Sequence, residues 1–130
     1  MSIWTSVAAV IRVDHLRLNG LTGGKPIKDI IGEPCLVKKW NDKTTIPCGS
    51  EGSLEYIINE NEDISFIPAY VVTIYGDLRD YEDVDAIYDW LYNLCKQIEK
   101  TGYMSIRMAV GNIECYDKAR TFTYESYYEE

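Results

Sequence analysis

The sequence predicts an α+β fold, an antiparallel sheet carrying one long amphipathic helix. Three observations lead there: a two-residue alternation over 3–13, a nearly unbroken β-branched and aromatic run at 69–78, and apolar residues at 3–4 spacing from Val84 to Ile98.

The opening segment places Ile3, Thr5, Val7, Ala9, Ile11 and Val13 on one face and Trp4, Ser6, Ala8, Val10 and Arg12 on the other. β-Branched residues dominate, and the second face is mixed rather than polar, so the strand is expected at the centre of the sheet. "LNGLTGGKP" then marks a loop. "PIKDIIGE" (26–33) fits a short helical turn, opened by Pro26 and closed by Gly32. "PCLVKKW" reads as a brief extended piece and "TTIPCGSEGS" as loop. "SLEYIINE" and "AYVVTIYGDL" read as two strands of an antiparallel pair, joined across a long hairpin loop.

The helix follows, in "DYEDVDAIYDWLYNLCKQIEKTG". Val84, Ile87, Tyr88, Leu91, Leu94, Cys95 and Ile98 form its apolar face, with Asp85, Asp89, Asn93, Lys96 and Lys100 opposite. Asp80 or Asp83 can cap its first turn, and lysines with Gly102 close it. "YMSIRMAVGNIEC" alternates Ile106, Met108 and Val110 against Arg107, Ala109 and Gly111, a fourth strand. The resulting order is the β-α-β-β-α-β template of a split βαβ, or ferredoxin-like, sheet with a short or irregular first connection. "TFTYESYYEE" (121–130) holds four rings and three glutamates, which a solvated end would seldom carry. It reads as an ordered piece, an extra strand or a partner-binding arm.

One domain over 1–130 accommodates all of this. No run approaches the ~18 apolar residues of a membrane span. "MSIWTSVAAVIRVD" lacks a basic leader and is broken by Thr5, Ser6 and Arg12, so a cytoplasmic protein is expected. Cys35, Cys48, Cys95 and Cys115 are scattered without a CxxC. A disulfide or metal cage stays open, with separate reduced thiols the simpler reading.

Net charge is −8 but uneven. Residues 1–50 hold seven Lys/Arg against four Asp/Glu, and residues 51–130 hold six against seventeen. Such an acidic larger part repels nucleic acid, and no stable duplex partner is expected. Chemistry-bearing motifs are sparse. His15 is the sole histidine and reads as structural, which leaves no triad and no clustered zinc ligands. "GSEGS" (49–53) and "LTGGKP" offer glycines and backbone N–H groups for an anion, but each is first a turn. Asp77, Asp80, Glu82, Asp83 and Asp85 lack the pattern of a calcium loop and suit a helix N-terminus. No metal and no cofactor is expected.

The unusual feature is eleven tyrosines beside two phenylalanines. Tyrosine gives large contact area with a wet polar tip and is favoured at interfaces. Tyr56, Tyr70 and Tyr75 fit strand packing. Tyr81, Tyr92, Tyr116, Tyr124, Tyr127 and Tyr128 are hard to bury together and are the candidate partner-binding residues.

"SIWTSVAAVIRVD", a Trp-bearing strand ending in Arg-x-Asp, resembles the start of small bacteriophage-encoded proteins with a ferredoxin-like sheet. The resemblance covers about a tenth of the chain and carries no catalytic motif. It implies a host-takeover or anti-defence protein.

Two functions follow. The first is a non-enzymatic binding protein whose acidic, tyrosine-rich half docks on a basic surface of a host or defence protein and inhibits it. The second is a binder or sponge for an anionic, nucleotide-like small molecule, using Lys25, Lys28, Lys38, Lys39, Trp40 and Lys43. An enzyme ranks below both, since only carboxylates, Tyr and Lys would serve it. Homodimerisation is compatible with each.

Overall fold

The computed structural model describes residues 3–15, 31, 46–47, 49–61, 69–101 and 104–124. Among them are five strands: β1 (Trp4–His15), β2 (Glu55–Asn61), β3 (Ala69–Arg79), β4 (Met104–Cys115) and β5 (Lys118–Tyr124). They form one open antiparallel sheet in the order β2-β3-β1-β4-β5, and α1 (Val84–Lys100) lies between β3 and β4 in the chain. The fold is α+β.

β1 is the central strand, paired with β3 on one side and β4 on the other. Its odd-numbered residues Thr5, Val7, Ala9, Ile11 and Val13 are buried, and Trp4, Ser6, Ala8, Val10 and Arg12 are exposed, as the alternation predicts. β2 and β3 pair antiparallel from Glu55↔Tyr75 to Asn61↔Ala69, with Val72, Ile74 and Leu78 turned into the core.

β4 departs from a single alternation. Met104 and Ile106 point inward, and so do Ala109, Ile113 and Cys115, whereas Met108 and Val110 are exposed. The cause is a bulge. Arg12 pairs with Met108 but Val13 pairs with Ile106, which leaves Arg107 as an extra residue and flips the phase beyond it. The grouping of Ile106 with Met108 and Val110 is therefore corrected to Ile106 with Ala109. The bulge aims Arg107 at β1, where its Nε donates to Asp14 Oδ2 at 2.7 Å.

α1 packs its apolar face over β4 and β5. Ile87, Leu91, Leu94, Cys95 and Ile98 are buried, with Val84 and Tyr88 half-buried beside them. Asp83 is the N-cap, accepting from the Ala86 amide at 2.9 Å. Asp85 and Lys100 suit the two ends of the helix dipole. At the far end the Thr101 hydroxyl donates to the Ile98 carbonyl at 2.7 Å. Ile31, Ile46 and Leu54 join the same core. Ile31 is helical, in keeping with a helical turn at 26–33, but the rest of that segment and "PCLVKKW" lie outside the described residues.

The closing segment is in part a core strand. β5 pairs with β4 from Lys118 to Tyr124, Phe122 is fully buried and Tyr124 nearly so. Phe122 meets Tyr88 of α1 edge-to-face, ring centroids 5.2 Å apart.

Burial pushes the Cys95 thiol from its ordinary 9.0 up to about 12, with the Glu99 charge adding to the effect. Burial, then the bond to Glu99, also raises the Tyr124 phenol well above its usual value. Below pH 9 the thiol is protonated whether the chain is folded or not. Above it, the unfolded chain loses the proton while the folded protein keeps it, so unfolding gains. Stability is expected to fall between pH 9 and 12, by on the order of 2–4 kcal/mol for Cys95. Urea midpoints measured from pH 8 to 11 test this, and Cys95→Ala should flatten the decline.

Candidate functional site

Four parts of the chain converge at one end of the sheet: the start of β1, the end of β3 with the turn 80–83, the loop 49–53, and the two-residue turn Tyr116–Asp117 between β4 and β5. Backbone bonds tie them together. The Asp80 amide donates to Ile3 O at 2.6 Å, Ser50 N to Arg79 O at 2.8 Å, and Arg79 N to Glu51 O at 3.0 Å. The Thr5 hydroxyl donates to the Tyr81 carbonyl, which Cys115 Sγ also approaches at 4.0 Å. Ser50 Oγ donates to Asp80 Oδ2 at 2.7 Å, and Arg79 pairs with Glu51 at 2.5 Å.

"GSEGS" is thus a turn docked on β3, with no free cradle at its start. The Gly49 amide is spent on Gly52 O at 2.9 Å and that of Ser50 on β3. Its glycines permit close approach: a Cβ at Gly49 would lie 2.2 Å from Arg79 O, and one at Gly52 2.2 Å from Asp77 O.

Two non-glycine residues among those described have left-handed backbone, Asp80 at φ 58° and Tyr116 at φ 61°, and both belong to this end. Asp tolerates that region through its short polar side chain, whereas a bulky tyrosine is held there at a cost of order 1 kcal/mol or more. Beside them is a cavity of about 300 Å³ lined by Ile3, Glu82, Cys115, Tyr116, Asp117 and Lys118. Tyr116 is 73% exposed at its mouth. Around the same end stand Glu51, Asp80, Glu82, Asp83, Glu114 and Asp117, against Arg79 and Lys118. Among the described residues the charge at this end is mostly acidic, and the exposed Tyr116 ring belongs to it.

The acidic residues of 77–85 are distributed, not gathered on an ion. Asp77 accepts from Ser6 Oγ at 2.5 Å, Asp83 caps α1 and Asp85 pairs with Arg120. Among the described residues no group of three or more His, Cys, Asp and Glu is arranged to hold a metal.

The candidate tyrosines fall into two places. Tyr81 and Tyr116 belong to the acidic end, Tyr81 half-buried against the core. Tyr92 and Tyr124 meet each other across α1 and β5, ring centroids 5.1 Å apart, with Lys96 Nζ 5.3 Å from the Tyr92 ring. The Tyr124 hydroxyl donates to Glu99 at 2.5 Å, and Arg120 stacks 3.8 Å over Tyr88. These contacts fasten helix to sheet. Tyr127 and Tyr128 lie outside the described residues, as do Lys25, Lys28, Lys38, Lys39, Trp40 and Lys43. Cys95 and Cys115 are buried free thiols, and Cys35 and Cys48 lie outside the described residues.

Sequence reasoning missed Ile3, Asp117 and Lys118 as cavity residues. The hairpin turn "YD" carries no glycine or asparagine to announce it. Among the described residues no helix is long and apolar enough to cross a membrane. Comparison with known proteins finds no matching family model, no similar curated protein and no similar solved structure.

Proposed function

We propose that the chain is a non-enzymatic binding protein that takes a basic segment of a partner protein at its Tyr116 end. The observation behind this is the pairing of an exposed tyrosine, held in left-handed backbone, with a small cavity flanked by Glu82 and Asp117. A guanidinium or ammonium group finds there a ring face for cation–π contact and carboxylates for charge-assisted bonds. A binder of this kind inhibits when the basic surface it covers is one its partner needs, as the resemblance of the opening strand to phage proteins implies.

The framework we propose for it is the ferredoxin-like split βαβ. Supporting this are the order β4-β1-β3-β2, the antiparallel pairing of β1 with both β3 and β4, and α1 lying between those two strands in the chain. β5 then extends the sheet beyond β4.

The test is titration of an Arg/Lys-rich peptide, followed by fluorescence anisotropy at two salt concentrations. Wild type should bind it, more weakly as salt rises. Tyr116→Ala should lose roughly 2- to 30-fold in affinity, the ~0.5–2 kcal/mol of a cation–π contact, and Asp117→Asn should reduce the salt dependence. Binding that ignores both substitutions would refute the proposal.

A further inference from the structure

The helix packs on one side of the sheet, over β4 and β5, and among the described residues no element packs on the other side. Directly opposed residues form a row across all five strands there: Ile57–Thr73–Val10–Val110–Thr123. Every one is β-branched. Ile57 is 50% exposed, Val10 41% and Val110 50%, and Met108 beside them is 55% exposed. Tyr75 and Ala8 continue the patch on the next row. A contiguous apolar surface of this kind is seldom left to water.

Charge is ordered along the strands on the same face. At one end Arg12 and Arg107 share the carboxylate of Asp14, whose side chain is 11% exposed, so among the described residues this end carries a surplus positive charge. At the other end stand Asp77 on β3, Glu114 on β4 and Glu55 on β2, with Arg79 at the rim already paired to Glu51 and Asp80. The face is therefore apolar across its middle, basic at one end and acidic at the other.

We infer that this face binds a second copy of the same chain, face to face, about a two-fold axis running along the β-branched row. That rotation reverses strand direction. It lays Val10 and Val110 of one copy on those of the other and brings each basic end over the partner's acidic end. A row of short β-branched side chains suits the ~10 Å spacing of packed sheets. Five strands at about 4.8 Å and seven residues at about 3.3 Å give a footprint of roughly 24 by 23 Å, so two faces hide on the order of 1,100 Å² before side-chain relief is counted. Specific interfaces begin near about 1,000 Å². The inference does not depend on Tyr116 or its cavity, which sit in the β4–β5 turn; Glu114 alone belongs to both regions, and Val110 and Met108 to this face only.

Sedimentation equilibrium of the full chain tests it. Wild type should sediment with the mass of two chains at roughly 100 µM. Val110→Arg, and separately Met108→Glu, should raise the dissociation constant at least ~100-fold by placing charge in the interface twice. Both sites are half-exposed in the single chain, so circular dichroism should be unchanged. Glu114→Arg should weaken association several-fold by opposing like charges. A wild type that is monomeric throughout would overturn the inference, whether the face is bare or takes another protein. A dimer indifferent to Val110→Arg and Met108→Glu would remove it from this face. One lost in those variants but indifferent to Glu114→Arg would overturn the crosswise arrangement.

Discussion

Phe122→Ala is expected to destabilise the protein by about 3–5 kcal/mol, the cost of emptying a fully buried aromatic site. Phe122 has no exposed surface, stands opposite Gly111 in the β4–β5 ladder and meets the Tyr88 ring of α1. Neither a glycine nor an edge-on ring can move in to fill the space, so the cavity stays. Against a typical total of roughly 5–15 kcal/mol, a loss of that size leaves a marginal fold. Urea denaturation measures it, with Thr121→Ala on the exposed side of β5 as a control that should change little. A cost below ~1 kcal/mol would mean that β5 opens independently of the rest of the sheet.

As far as Tyr124, "TFTYESYYEE" is strand, paired to β4 with Phe122 and Tyr124 in the core. In the sequence alone, alternation of Phe122 and Tyr124 with Thr123 fits a strand and an arm alike. What decides between them is long-range: the hairpin at Tyr116–Asp117 lays 118–124 along β4, and α1 covers the inward residues. A two-residue turn of Tyr and Asp carries none of the usual hairpin chemistry, so the start of β5 at Lys118 is invisible to pattern reading.

β1 and α1 were the most legible parts, for a shared reason. Each buries one face of a regular element, and burial writes its period directly into Val7, Ala9, Ile11 and Val13 or into Ile87, Leu91, Leu94 and Ile98. β4 was legible as a strand but not in phase. A bulge at Arg107 is marked by neither glycine nor proline and shows only once Arg12 and Val13 are matched to their partners. The candidate site was half legible. Tyrosine excess and acidic charge pointed to binding, but they could not say that Tyr81 and Tyr116 gather at one end while Tyr92 and Tyr124 hold helix to sheet. Composition counts rings, whereas only the register of β4 and β5 sorts them. The open face was likewise hidden, because Val10, Val110, Ile57, Thr73 and Thr123 are far apart in the chain and become one row only through four strand pairings.

Gly111→Ala should be comparably severe for the opposite reason, overpacking instead of a void. A methyl group there would lie 2.6 Å from Ala9 Cβ, 2.8 Å from Ala8 O and 2.9 Å from Ala9 Cα. Two of those atoms are backbone of the central strand, fixed by hydrogen bonding on both sides, so relief requires β1 and β4 to part. Core overpacking typically costs about 1–3 kcal/mol, and displacement of the central pair places this one at the upper end, near ~3 kcal/mol. Ala9→Gly in the same chain removes the nearest atom but leaves the Ala8 carbonyl where it is. The double variant should therefore recover part of the loss and no more, a coupling of roughly 1 kcal/mol in a double-mutant cycle. Thermal melts of the four proteins supply the measurement. Full recovery would mean that the Ala9 methyl alone makes the contact, and no loss at all would mean that β1 and β4 are farther apart at this point than their pairing places them.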